Sequence, residues 1–294
     1  MKRPLLSPLV SLKKTLDRFY REYDFSARLS DDPIEILHRY QRKEDIEAAG
    51  FLAAAFAYGR VDLFKPVVER LLSLMGESPY DFMRRFDLRK HRRIFGGLKY
   101  RFNETEDIIS LVDIVGRVLK THGSIEALFK AHFRESDLTI AEGLSGMVQE
   151  FLDADVKVVY GRSGKPPGLL QFFPSPEKGS TCKRMNLFLR WMIRDRDIDF
   201  GIWKDIPKNK LIIPLDTHIA RISRCLGFTA RKSQDWKMAV EITESLKKFD
   251  PEDPLKYDFA LCHQGIAGLC RADRCDRCDS PLRQDRTGRD RRRP

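Results

Sequence analysis

The chain has 294 residues, 42% hydrophobic and 33% charged, a balance that builds a packed globular core and excludes a disordered polymer. No run approaches the roughly 18 apolar residues needed to cross a bilayer, and the opening Met1-Lys2-Arg3-Pro4-Leu5-Leu6-Ser7 lacks the continuous apolar stretch of a secretory signal, so a cytoplasmic protein with no membrane partner is expected. The net charge of +11, from 54 Lys and Arg against 43 Asp and Glu, favours a polyanionic partner such as nucleic acid or an anionic surface.

Apolar residues recur at helical spacing along most of the chain and strand-like alternation is scarce, which predicts an all-α fold. Residues 1–29 form a helical extension. From 30 onward comes the core, in which Asp45 to Tyr58 reads as a buried, alanine-rich helix closed by Gly59, and Arg60-Val61-Asp62 opens a helix carrying Phe64, Val67, Val68, Leu71 and Leu72 on one face. Further helices are predicted over Asp107–Lys120, Ser124–Phe133 and Ile140–Leu152. Glycines and prolines then crowd the stretch from Tyr160 to Ser180, which must turn and is placed between two lobes. Helical pattern resumes over Cys182–Arg194, and a polar connector spans Asp195–Lys210. Leu211-Ile212-Ile213-Pro214-Leu215 leads into a short helix, and two more helices lie around Trp236–Phe249 and Leu255–Leu269. The core ends near 280, and 281–294 is a basic tail without core-forming residues.

Three features carry potential chemistry. Met185, Phe188, Leu189 and Met192 form the apolar stripe of the Cys182–Arg194 helix, leaving Lys183, Asn186, Arg190 and Arg194 as a polar line on another flank, either solvated or functional. Asp216 stands ahead of a helix whose face is Ile219, Ile222 and Leu226, and is a natural N-cap whether or not it has a further role. Four of the six cysteines, Cys262, Cys270, Cys275 and Cys278, fall in one polar stretch with gaps of seven, four and two residues, a density that predicts a metal site. Four thiolates suit zinc or an iron–sulfur cluster, and His263 is a substitute ligand in the zinc case. Cys182 and Cys225 are expected to be packing residues.

The segment Leu215-Asp216-Thr217-His218-Ile219-Ala220-Arg221, followed about 45 residues later by the cysteine group, resembles the endonuclease III branch of the helix-hairpin-helix DNA glycosylases, and the chain is similar to a bacterial branch of that superfamily. The resemblance extends over roughly 30–280, including Glu47–Arg60 and Gly97-Leu98-Lys99-Tyr100-Arg101. It implies a two-lobe helical fold with a central cleft. Where the family's hairpin reads Leu-Pro-Gly-x-Gly, this chain has Phe173-Pro174-Ser175-Pro176-Glu177-Lys178-Gly179-Ser180-Thr181-Cys182-Lys183, a degenerate hairpin in which Gly179 and Ser180 offer backbone amides to a phosphate. Lys183 precedes Asp216 by 33 residues, a separation that looks like the archaeal 8-oxoguanine glycosylase branch.

What the resemblance implies is base-excision repair of duplex DNA: a damaged base, such as an oxidised purine, is flipped into the cleft, with Lys183 as nucleophile and Asp216 as the catalytic acid. It further implies DNA contact through Gly179, Ser180, Arg184, Arg190 and Arg221, base stacking on Phe172, Phe173, Trp191 or Trp203, and a [4Fe-4S] cluster on Cys262, Cys270, Cys275 and Cys278, with zinc as the alternative. A monomer is expected. A DNA- or RNA-binding protein that keeps the scaffold without the chemistry is the competing expectation.

Overall fold

The computed structural model describes residues 8–266, all of whose named secondary structure is helical apart from one isolated bridge between Tyr100 and Asn103. The chain opens with α1 (Pro8–Glu22), crosses two short 3-10 segments at Ser26–Asp31 and Pro33–Arg39, and enters α2 (Lys43–Phe56), α3 (Val61–Ser73) and the short α4 (Pro79–Arg84) and α5 (Leu88–His91). The long α6 (Thr105–His122), α7 (Ile125–His132) and α8 (Ala141–Asp153) follow, then single turns α9 (Lys157–Tyr160) and α10 (Pro167–Leu170). The last part contains α11 (Lys183–Ile193), α12 (Thr217–Leu226), α13 (Trp236–Lys247) and α14 (Asp258–Ile266). Among the described residues no helix is long and apolar enough to cross a membrane.

The centre of the molecule is α2. It is buried on every side from Asp45 to Phe56, because its face of Ala48, Ala49, Ala53, Ala54 and Gly50 lets neighbours approach closely. A Cβ on Gly50 would stand 3.2 Å from Met192 of α11 and 3.0 Å from Leu37, so this small residue sets the depth at which α11 and the 33–39 segment pack. The helix also ties the structure together through Glu47. Its carboxylate accepts from the amides of Ile125 at 2.8 Å and Glu126 at 2.9 Å, filling the N-terminus of α7, and from the Trp203 indole at 2.9 Å.

The predicted helices fall where the pattern puts them, to within two or three residues at most ends, since caps rather than hydrophobic periodicity fix the boundaries. Ser124 caps α7 through the Ala127 amide at 2.9 Å, and Gly123 ends α6 in the left-handed conformation at φ 83°.

The polar line on α11 is corrected by the structure. Asn186, Arg190 and Arg194 are 0%, 3% and 3% exposed, so this flank is not a solvated face. The Asp195–Lys210 connector folds back over the helix end and supplies part of the counter-charge, Asp253 and Asp258 the rest. Arg190 pairs with Asp199 at 3.3 Å and Asp258 at 2.6 Å, while Arg194 pairs with Asp253 at 3.0 Å, Asp199 at 2.9 Å and Asp197 at 2.7 Å. Each guanidinium is balanced by at least two carboxylates, the condition under which a charge survives burial. Cys182 packs as expected, buried, with its thiol pushed up to about 12 by burial, and Cys225 is half-buried and packs against the core as expected.

Candidate functional site

One cavity of about 520 Å³ opens between the end of α2, the start of α11, the start of α12 and α14. Its walls come from distant parts of the sequence. The 3-10 segments contribute Arg28, Asp31 and Asp32; the turn after α2 contributes Ala57, Gly59 and Arg60; α11 contributes Lys183, Leu187 and Arg190; Asp216 and His218 enter from α12, and Phe259, Cys262 and His263 from α14.

Lys183 reaches this cavity because of the turn before it. Gly179 takes φ 72° and receives the Trp236 amide on its carbonyl at 3.2 Å, which anchors the hairpin-like turn to the start of α13. Cys182 itself is left-handed at φ 49°, a sparsely populated conformation for a residue with a Cβ, and Ser180 steadies it by accepting its amide at 3.2 Å. The first residue of α11 is therefore Lys183, aimed at the end of α2, where its Nζ donates to the Ala57 carbonyl at 3.2 Å. That carbonyl is one that the helix end leaves without an intrahelical partner.

Asp216 is the N-cap of α12, with extended backbone and Oδ1 accepting from both His218 and Ile219 amides at 2.8 Å. The cap uses one carboxylate oxygen and spares the other. Oδ2 meets the Cys262 thiol, which donates at 3.6 Å. Burial, with the carboxylates of Asp216 and Asp258 close by, holds that thiol well above the usual thiol range, so it is protonated at neutral pH. Burial likewise pushes Asp258 up to about 6, against the pull of Arg190.

Lys183 and Asp216, paired in the sequence analysis, thus share a cavity, and so does Arg190. The remaining DNA-contact residues divide. Gly179 is exposed and Ser180 half-buried at the turn outside it. Arg184 is spent on structure: its guanidinium donates to the Ala55 carbonyl at 2.6 Å and to the Gln171 carbonyl, and burial lowers it to about 10. Arg221 lies on α12 with its Nη2 3.3 Å from His218 Nδ1.

The base-stacking expectation is corrected. Phe172, Phe173, Trp191 and Trp203 are each no more than 3% exposed and none lines the cavity. Phe172 packs on Phe56 at 5.2 Å between centroids, Phe173 on Phe151 at 5.1 Å, and Trp203 on Phe188 at 5.4 Å. Their size makes them core residues, where each large ring removes apolar surface from water. The aromatic walls of the cavity are Phe64 and Phe259, the latter carrying His263 on its ring at 4.2 Å. Periodicity alone placed Phe64 in a core stripe and gave Phe259 no distinguishing signal; only the fold brings residues of α3 and α14 to one cavity.

Of the four clustered cysteines, Cys270, Cys275 and Cys278 lie outside the described residues, as does the basic tail. The fourth, Cys262, is described: its sulfur lies 3.6 Å from Asp216 Oδ2, and among the described residues no group of three or more His, Cys, Asp or Glu side chains is arranged to hold a metal.

No curated protein matches the chain. No solved structure matches it either. The profile of DUF2400, a family described as proteins of unknown function, matches residues 32–267, a span that takes in every wall of the cavity from Asp32 to His263, and the chain belongs to that family.

Proposed function

We propose that the protein is a base-excision DNA glycosylase with abasic-site lyase activity, acting as a cytoplasmic monomer on duplex DNA that carries a damaged base. The observation that carries the reading is the convergence of Lys183 Nζ and the spare oxygen of Asp216 on one cavity, from elements 33 residues apart. The two-lobe cleft and degenerate hairpin belong to the same proposal, with the Gly179 turn as the hairpin's remnant. So does the metal site: Cys262, Cys270, Cys275 and Cys278 are its candidate ligands, for a [4Fe-4S] cluster or zinc, and no step of the chemistry runs through it.

In the proposed reaction the neutral Lys183 amine attacks C1′ of the flipped nucleotide. The C1′–N bond breaks and its electron pair leaves with the base, giving an aminal; the C1′–O4′ bond then breaks, its electron pair goes to O4′, which takes a proton, and the Nζ lone pair completes the protonated Schiff base to C1′. Asp216 Oδ2 stabilises positive charge developing on the sugar and takes a proton from the attacking amine, which the departing base finally receives. The Ala57 carbonyl orients Nζ beforehand.

Borohydride added to a reaction on an oxidised-purine or abasic duplex should trap a covalent protein–DNA adduct, absent in Lys183→Gln. Asp216→Asn should retain the folded protein, because an amide oxygen still caps α12, and should slow trapping at least about 100-fold. Adduct formation that survives in Lys183→Gln would move the nucleophile to Lys178 or another amine. Base release without any adduct would leave Asp216 activating water in a monofunctional enzyme. Binding without release would select a DNA-binding protein on this scaffold, and preference for RNA an RNA-directed one.

A further inference from the structure

We propose that Arg190 reads the base in this cavity, with Nη2 donating to the carbonyl oxygen of a 6-oxopurine whose ring lies along Phe259; the assignment rests on the glycosylase reading for the source of that base. The carrying observation is an unsatisfied donor. Arg190 is 3% exposed and lines the cavity. Its Nε donates to Asp199 and its Nη1 to Asp258, yet among the described residues nothing accepts from Nη2. A buried N–H without an acceptor is a standing cost that native structures rarely keep, and it is removed when a ligand oxygen arrives.

The surroundings select the class of ligand. Phe259 lies 5.9 Å from the guanidinium carbon and offers a flat apolar wall beside the donor, along which a planar ring can lie with its edge toward Nη2. Charge argues against a phosphate. The lining holds the carboxylates of Asp31, Asp32, Asp62, Asp216 and Asp258 against four Arg and Lys side chains, and Arg190 is already balanced by Asp199 and Asp258. A neutral acceptor gains the hydrogen bond without bringing an anion against those carboxylates. Among purines, the 6-oxo edge presents acceptors at O6 and N7, as guanine does, whereas the 6-amino edge turns an N–H donor toward the arginine. Two donors facing each other leave both unsatisfied, which is the stronger source of discrimination.

The test uses the full chain and varies the ligand, so it does not depend on a variant that folds. Inosine and adenosine differ at position 6, and their affinities are compared by calorimetry or by saturation-transfer NMR. Inosine should bind about tenfold or more tighter, and Arg190→Lys, which keeps the charge opposite Asp258 but lacks the second amino group, should bring the ratio near one. Equal affinities in the wild-type chain, or no binding of either nucleoside at millimolar concentration, overturn the proposal. A preference that persists unchanged in a folded Arg190→Lys protein overturns it too. Loss of borohydride trapping with the inosine preference intact would instead remove the glycosylase reading and leave the Arg190 site standing.

Discussion

Glu47 shows how one side chain can serve three elements at once. It is buried, and burial pushes its carboxyl up to about 7 from an ordinary 4.5, against the amides of Ile125 and Glu126 and the Trp203 indole that favour the charged form. A carboxyl raised in the folded state contributes stability that is fully present below about 4.5 and is lost as pH rises through about 7. The melting temperature of the wild-type protein minus that of Glu47→Gln should therefore shrink between pH 5 and pH 8; a difference that stays flat or widens would show that the carboxyl titrates normally. Cys262 gives a second prediction at this scale. As one of the four proposed metal ligands, Cys262 should be needed for loading: Cys262→Ser should lower the metal content of purified protein, read as iron and zinc per chain. Stoichiometric metal retained in that variant would take Cys262 out of the ligand set and leave its thiol to Asp216 Oδ2.

At the scale of elements, close approach is governed by small residues that periodicity treats as neutral. Gly116 lies inside α6, where a Cβ would stand 2.3 Å from the Met83 carbonyl oxygen of α4 and 3.7 Å from Phe86. Backbone cannot yield as a flexible side chain can, so Gly116→Ala should separate α6 from α4 and destabilise the protein by about 2 kcal/mol despite the better helix propensity of alanine. A thermal melt should fall by several degrees. An unchanged or raised melting temperature would mean that the crossing relaxes at little cost. The helix itself was legible from its apolar face; the reason for glycine at 116 was not, because the partner that excludes a side chain is some 33 residues away in the chain.

Across the whole molecule, the positive charge that suggested a polyanionic partner is not where the α11 pattern put it. Arg184, Arg190 and Arg194 are internal, so phosphate contact falls to exposed cations around the cavity. Arg101 is the best placed: it is exposed, adopts φ 50°, and its Nη1 lies over Gly59, 2.5 Å from where a Cβ there would stand. If duplex DNA enters over this edge, Arg101→Ala should reduce the slope of log affinity against log salt by about one unit, with little change in sequence preference. An unchanged slope in a filter-binding or anisotropy titration would place the DNA on another face.

Sequence alone determined the helical class, most helix positions and the cap role of Asp216, because these depend on local periodicity and on hydrogen bonds within a few residues. It also singled out Lys183, by its position after a turn that Gly179 and Ser180 make. Tertiary structure decided which polar residues face a ligand. The α11 arginines look solvent-facing until the 195–210 connector brings Asp197 and Asp199 to them, and the aromatic residues nearest the hairpin look available until α2 and α8 cover them. Both outcomes turn on the electrostatic and packing complement of segments far apart in the chain, so no local pattern encodes them. For the same reason the meeting of Lys183, Arg190, Asp216 and Cys262 in one cavity becomes visible only once α2, α11, α12 and α14 converge.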